Sequence, residues 1–207
     1  MKILKAPRQG ASLGEAAQAL LEGALVAAPT ETFYGLLVRY DHPPGLRRLW
    51  ALKGREPQKP FPLIVGSAEA LALVVARITP LAQRLMEGFW PGPLSILFEA
   101  REGLSSFITA RGKVAVRMPG DSPALQLAKA VGLPLTATSA NPSGAPPARS
   151  AEEVLRYFPL GLDLLLDGGR TEARHPSTLV EATEEGLRVL REGAIPKRRL
   201  EEFLGQG

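Results

Sequence analysis

"SPALQLAKAVGLPLTATSANPSG", Ser122–Gly144, carries the alternation that decides the fold class. Its first part, SPALQLAKAVG, opens on Ser-Pro and stops on glycine, which predicts a helix. LPLTAT, residues 133–138, reads as a strand. That strand runs straight into SANPSGAPP, a stretch of hydroxyl, amide, glycine and proline. Helix, strand and polar loop in that order is the repeating unit of an α/β sheet, whose ligands gather where strands end.

Working outward, the same alternation continues in both directions. Ser12-Leu13-Gly14-Glu15 has capping-box spacing and predicts a first helix to Glu22. ALVAAPT (24–30) reads as a short buried strand, and PPGLRRLWALKG (43–54) as a helix that stops near Gly54. PLIVG (62–66) is a strand, followed by helices from Ser67 through Ala76 and from Thr79-Pro80 to near Gly88. PLSILFEA (93–100) and KVAVRM (113–118) are strands. Downstream, Ser150-Ala151-Glu152-Glu153 is a second capping box opening a helix to about Phe158. DLLLDGG, STLVEA and LRVLREG read as strands, and PKRRLEEFL as a last helix. No long linker or internal repeat interrupts the pattern. It predicts one α/β domain over residues 1–207 with a mixed, twisted sheet, partly antiparallel because the last third is strand-rich.

Composition narrows the chemistry. Of 207 residues, 45% are hydrophobic and 22% charged, which suits a packed globular chain and excludes a disordered one. There is no cysteine, which excludes disulfides, thiolate chemistry and cysteine-ligated metal. His42 and His175 are the two histidines, each beside proline or charge and each expected in a turn or loop, so no protein-held metal is assigned. No apolar stretch is long enough to cross a bilayer and the N-terminus lacks an apolar signal core, so the expected location is the cytoplasm. A net charge of +4, from 25 basic and 21 acidic residues, favours an anionic ligand or RNA contact.

Polar segments sit where predicted elements end. They are Pro29–Thr32 with Tyr34-Gly35, Lys53-x-Arg55 with Lys59, Lys113 and Arg117 bracketing a strand, and Ser139-Ala140-Asn141 with Ser143-Gly144. Neither a Walker loop nor G-x-G-x-x-G is present. Each segment has two readings. The cations of LKGREPQKP are a solvated helix end or converge on an anion, and the rigid Gly/Pro setting favours the second. Arg117 is an edge residue facing water, or a cavity cation that grips a carboxylate through a bidentate fork. TSANPSG is plain turn chemistry, or a set of contacts to phosphate or ribose. Spacing alone supports an anion-binding α/β domain.

Taken in order, PTETFYGL, LKGREPQKPFPLIV, WPGPLSILF, VAVRMP, TSANPSG, DGG, PSTLVE and LREGAI resemble the successive signatures of the YrdC family of threonylcarbamoyl-AMP synthases, over about residues 10–196. The resemblance implies a YrdC/RibB-like fold: a twisted mixed sheet with flanking helices around a deep basic cavity. It implies that L-threonine and bicarbonate form an N-carboxy-threonine, whose carboxylate attacks the α-phosphate of ATP, with Mg2+, releasing pyrophosphate. A transferase complex would then carry the threonylcarbamoyl group to tRNA. By motif match, Lys53 and Arg55 are catalytic, with Lys53 neutralising phosphate. Arg55, Lys59, Lys113, Ser139, Asn141 and Arg191 contact ATP. Thr32, Arg117, Ala137 and Ser177 hold threonine. One departure stands out: many relatives carry a histidine after the PLIV strand, where this chain has Gly66 and Ser67. Two other readings compete: a non-enzymatic RNA-binding or ribosome-maturation protein, and a carbamoyl-adenylating domain of the kind found in hydrogenase-maturation proteins.

Overall fold

Local chemistry starts and stops the helices. In the computed structural model, which describes residues 1–5, 11–54 and 59–205, α1 spans Ala11–Leu21, so Ser12 lies inside the helix. Helix α2 (Pro43–Lys53) begins with two prolines and ends at Gly54, which takes the left-handed conformation (φ 56°) that glycine adopts without strain. Its N-cap is His42, expected only as a turn residue: Nδ1 accepts the Gly45 N–H at 3.1 Å. Ser67, Thr79, Ser122 and Ser150 cap α3 (Ala68–Ala72), α4 (Pro80–Phe89), α5 (Pro123–Val131) and α6 (Ala151–Tyr157) as their sequences suggest. Helix α3 stops short of the expected Ala76, because Val74 and Val75 turn into the core and Val75–Arg77 pairs as a strand.

The mixed α/β class is as expected, but the strands divide between two sheets. Among the described residues one sheet holds β1 (Lys2–Lys5), β10 (Leu164–Asp167), β2 (Val26–Pro29), β3 (Tyr34–Leu37) and β9 (Thr138–Ser139), in that order. The first three are mutually parallel and the last two antiparallel to their neighbours. The other runs β12 (Gly186–Arg191), β11 (Thr178–Thr183), β6 (Leu94–Ala100), β7 (Lys113–Arg117), β4 (Leu63–Ile64) and β8 (Leu135–Thr136), with β5 (Val75–Arg77) also on β6. Its β11–β6 and β7–β4 pairs are parallel and its other pairs antiparallel. Helix α7 spans Lys197–Gly205.

The two sheets meet in the stretch expected to be one strand. LPLTAT breaks at Ala137: β8 pairs with β4 in the second sheet and β9 with β3 in the first. Buried hydrogen bonds hold the break. The Thr136 hydroxyl accepts the Val38 N–H at 2.9 Å and donates to Leu36 O at 3.0 Å, and the Ala137 N–H donates to Pro62 O at 2.9 Å.

Side-chain alternation then separates core from cavity. On β6 the residues Leu94, Ile96 and Phe98 join the main hydrophobic cluster, as do Val114 and Val116 of β7 and Val180 and Ala182 of β11. Residues 95, 97, 113, 115, 117, 179 and 181 point to the opposite face. A second cluster packs Ala16, Ala17 and Leu20 of α1 and Leu127, Ala128 and Val131 of α5 on Val26, Ala28, Leu164 and Leu166 of the first sheet. Among the described residues no helix is long and apolar enough to cross a membrane.

The Gly66-Ser67 departure has a packing basis. A Cβ on Gly66 would stand 2.4 Å from the Lys129 N and 2.6 Å from the Ala128 C, both backbone atoms of α5. Ser67 is spent on capping, accepting the Ala70 N–H at 3.2 Å. Gly66→Ala is therefore expected to destabilise the fold by about 2 kcal/mol, seen as a fall of roughly 6 °C in Tm; an unchanged Tm would show that α5 shifts freely.

Candidate active site

The polar face of the second sheet is the floor of a cavity of about 630 Å3. Two rows of paired residues cross it. Arg188, Glu181, Leu97 and Ala115 lie side by side on β12, β11, β6 and β7. Arg191, Leu179 and Ser95 form the next row. Arg188 and Arg191 are three apart, so a regular strand would send them to opposite faces. A bulge between Leu179 and Val180 and their β12 partners adds one residue, Leu190, and both guanidiniums then line the same cavity.

Electrostatics define what the cavity takes. Arg117 is buried (6% exposed) at the floor and paired with Glu31, whose Oε2 is buried with no hydrogen-bond partner. Burial pushes the Arg117 pKa down, and the Glu31 carboxylate opposes that shift. Desolvation also lowers the pKa of Arg191, and the positive charge of Arg117 lowers it further. A guanidinium whose charge is disfavoured by a second cation beside it favours an anion between the two. Glu181, also buried, bridges Lys113 at 3.3 Å and Arg188. The Arg191 guanidinium donates to Ser177 O at 2.9 Å, and the Ser177 and Ser95 hydroxyls are 2.9 Å apart. On the β2–β3 turn, the buried hydroxyls of Thr30 and Thr32 are 2.8 Å apart.

Of the residues singled out from sequence, Thr32, Lys59, Lys113, Arg117, Ala137, Ser139, Ser177 and Arg191 all line this cavity. Lys53 and Asn141 are not among its lining residues, and Arg55 lies outside the described residues. Lys53, assigned by resemblance to neutralise phosphate, packs against the loop that presents Ser139. Its Nζ is buried and donates to Ser139 O at 2.6 Å and Asn141 O at 2.7 Å, while its own carbonyl accepts the Ser143 N–H at 3.1 Å. A buried ammonium requires such acceptors, so it braces the loop that presents Ser139. The Asn141 amide likewise donates within the loop, to Pro142 O at 3.0 Å and Ala145 O at 2.6 Å. Lys113, expected on ATP, shares Glu181.

Sequence reasoning passed over Ser95, Arg111, Glu181 and Arg188, and gave Glu31, inside the Pro29–Thr32 segment, no role of its own. Alternation on PLSILFEA held the signal for Ser95, a hydroxyl among apolar residues on the face shared with Arg117. Arg188 carried none, because the bulge hides its relation to Arg191.

The mixed α/β scaffold carries, on the polar face of one sheet, a cavity lined by Lys59, Arg111, Lys113, Arg117, Arg188 and Arg191 together with Glu181. Residues 18–193 match the profile of the Sua5/YciO/YrdC family, described as telomere recombination, and the chain belongs to that family. It is 36% identical to a threonylcarbamoyl-AMP synthase of Pyrococcus abyssi over 192 residues, 92% of this chain and 56% of that protein. With a threonylcarbamoyl-AMP synthase of Thiobacillus denitrificans it shares 37% over 184 residues, 88% of this chain and 97% of that one. The chain thus spans little more than half the length of the Pyrococcus abyssi relative, and nearly all of the second. The structure of P. abyssi Sua5 complexed with L-threonine superimposes with a TM-score of 0.91 at 33% identity, over 99% of this chain and 60% of that one. E. coli YciO, at 20% identity, shares the fold with a TM-score of 0.82 over 96% of this chain and 98% of that one.

Two substitutions probe this architecture. Glu31→Ala leaves Arg117 buried without its counter-ion and is expected to cost about 3 kcal/mol, read as a lowered urea midpoint with unchanged slope. Arg191→Ala removes one guanidinium from the floor and leaves the bulge in place. Affinity for inorganic pyrophosphate, measured by calorimetry, is expected to fall roughly tenfold, the loss of one charge-assisted contact.

Proposed function

We propose that this chain, as one YrdC-like unit, is a threonylcarbamoyl-AMP synthase. The observation that carries the reading is Arg117: a buried guanidinium on the cavity floor, fixed by Glu31 and within the field of Arg191. Such a group is suited to the carboxylate of a small amino acid. The names of the relatives, and the threonine complex of P. abyssi Sua5, support threonine as that amino acid.

The chemistry follows from what the cavity offers. The amine of threonine adds to bicarbonate with loss of water, giving a carbamate. A carbamate oxygen then attacks the α-phosphate of ATP, and the bond to pyrophosphate breaks with its electron pair. The nucleophile comes from substrate, so no Cys or His is needed. Catalysis rests on positioning and on cations facing the phosphates as charge moves to the leaving group. Arg117 holds the threonine carboxylate, with the Thr32 and Ser177 hydroxyls and Ala137 around the remainder. The Ala137 N–H is committed to Pro62 O, so its contact comes from the carbonyl. Lys59, Lys113, Ser139 and Arg191 face the nucleotide, Arg55 is assigned to it by motif alone, and Lys53 and Asn141 act through the loop they brace.

The donor set does not build a protein-held Mg2+ site: among the described residues no three His, Asp or Glu side chains cluster, and Glu181 is already engaged by two cations. Mg2+ would arrive on the triphosphate. The product is a mixed anhydride, to be consumed by a tRNA-modifying transferase complex in the cytoplasm. Direct RNA contact by the basic rim is compatible with this role.

Pyrophosphate release by purified protein with ATP is expected only when threonine and bicarbonate are both present, with the threonylcarbamoyl-AMP mass in the products. Arg117→Lys, which keeps the charge and loses the fork, is expected to raise the KM for threonine about tenfold while leaving that for ATP nearly unchanged. Release without threonine would defeat the assignment.

A further inference from the structure

Arg111 is the one non-glycine residue with positive φ among those described, at 51°. It shares a two-residue turn with Gly112 (φ 70°), closed by Ala110 N–H to Lys113 O at 3.1 Å and Lys113 N–H to Ala110 O at 3.0 Å. Positive φ at both central positions is the form that favours Asn, Asp or Gly at the first. Arginine there is strained, because its Cβ crowds the backbone in the left-handed region. A strained position that persists invites the question of what its side chain does.

The Arg111 side chain lines the cavity and is exposed, which places it at the mouth. No hydrogen bond or ion pair ties it to another described residue. Its neighbours differ: Arg117 has Glu31, and Lys113 and Arg188 share Glu181. Strand β7 connects the turn to the floor. From Lys113 to Arg117 is four residues at about 3.3 Å each, roughly 13 Å. With the threonine carboxylate on Arg117, the carbamate and the α-phosphate it attacks occupy the inner end, and the outer phosphates extend toward the mouth.

We propose that Arg111 binds the outer, leaving phosphates of the nucleotide, held in place by a turn whose conformation arginine alone would not choose. The inference rests on the synthase reading above. Arg111 forms no covalent bond and moves no proton; it stabilises charge arriving on pyrophosphate.

Arg111→Asn tests it, since asparagine suits the turn and removes the guanidinium. Calorimetric titration with inorganic pyrophosphate, ATP, AMP and threonine is compared with wild type. Pyrophosphate and ATP are expected to bind about tenfold more weakly, with AMP and threonine unchanged. Tm is expected to rise by about 2 °C as the strain is relieved. Wild-type affinity for pyrophosphate in the variant overturns the assignment, as does an equal loss for AMP. Weakened binding in a variant that melts below wild type also counts against it, because damage to the turn would then account for the loss. If wild type binds neither ATP nor pyrophosphate, the synthase reading fails and this inference with it. If wild type binds both and the variant binds equally well, only the role of Arg111 fails.

Discussion

The two faces of one sheet have opposite obligations, and the rest of the molecule is arranged around that. On β6, β7 and β11 every second side chain enters the apolar core, which fixes where the others must go. Those others include Ser95, Lys113, Arg117 and Glu181, and they form a charged floor. Slipping a central strand by one residue would put Arg117 into the core and Val116 on the floor. The hydrophobic packing that stabilises the fold therefore also sets the register of the site.

A cationic floor brings a second constraint. Burying guanidinium and ammonium groups is costly without partners. Arg117 is answered by Glu31 on the β2–β3 turn, Lys113 by Glu181 on β11, which the exposed Arg188 shares, and Lys53 by the carbonyls of Ser139 on β9 and of Asn141 just after it. The Arg117–Glu31 pair ties the first sheet to the second. The break at Ala137 does the same through the backbone, since β8 and β9 follow one another yet belong to different sheets.

Sequence reading reached what local chemistry determines. The helix starts at Thr79, Ser122 and Ser150 and the stops at Gly54 and Gly132 depend on residues next to the element they bound. Strands β6 and β7 were visible because their alternation is long enough to be seen. What depended on distant pairing was not legible. β3, the YGLL segment, is buried on both faces and has no alternation, and β1 and β5 are short strands that exist through their partners. The split of LPLTAT and the bulge at Leu190 are consequences of what lies beside the chain. In the site, most of the residues assigned through motif resemblance do line the cavity. Glu31 and Glu181 were not among them, because a search for anion-binding groups looks past carboxylates.

On the proposed synthase reading, Glu181 has a consequence for turnover. By sharing Lys113 and Arg188, it keeps part of the cavity's positive charge occupied whether or not a ligand is present. An incoming anion must compete with a built-in carboxylate for those cations, which limits how tightly any polyanion is held. A cavity of uncompensated cations would bind a charged product as firmly as the substrate and release it slowly. A resident carboxylate shortens the stay of whatever is left behind, so the same residue that steadies the unliganded floor also helps to clear it.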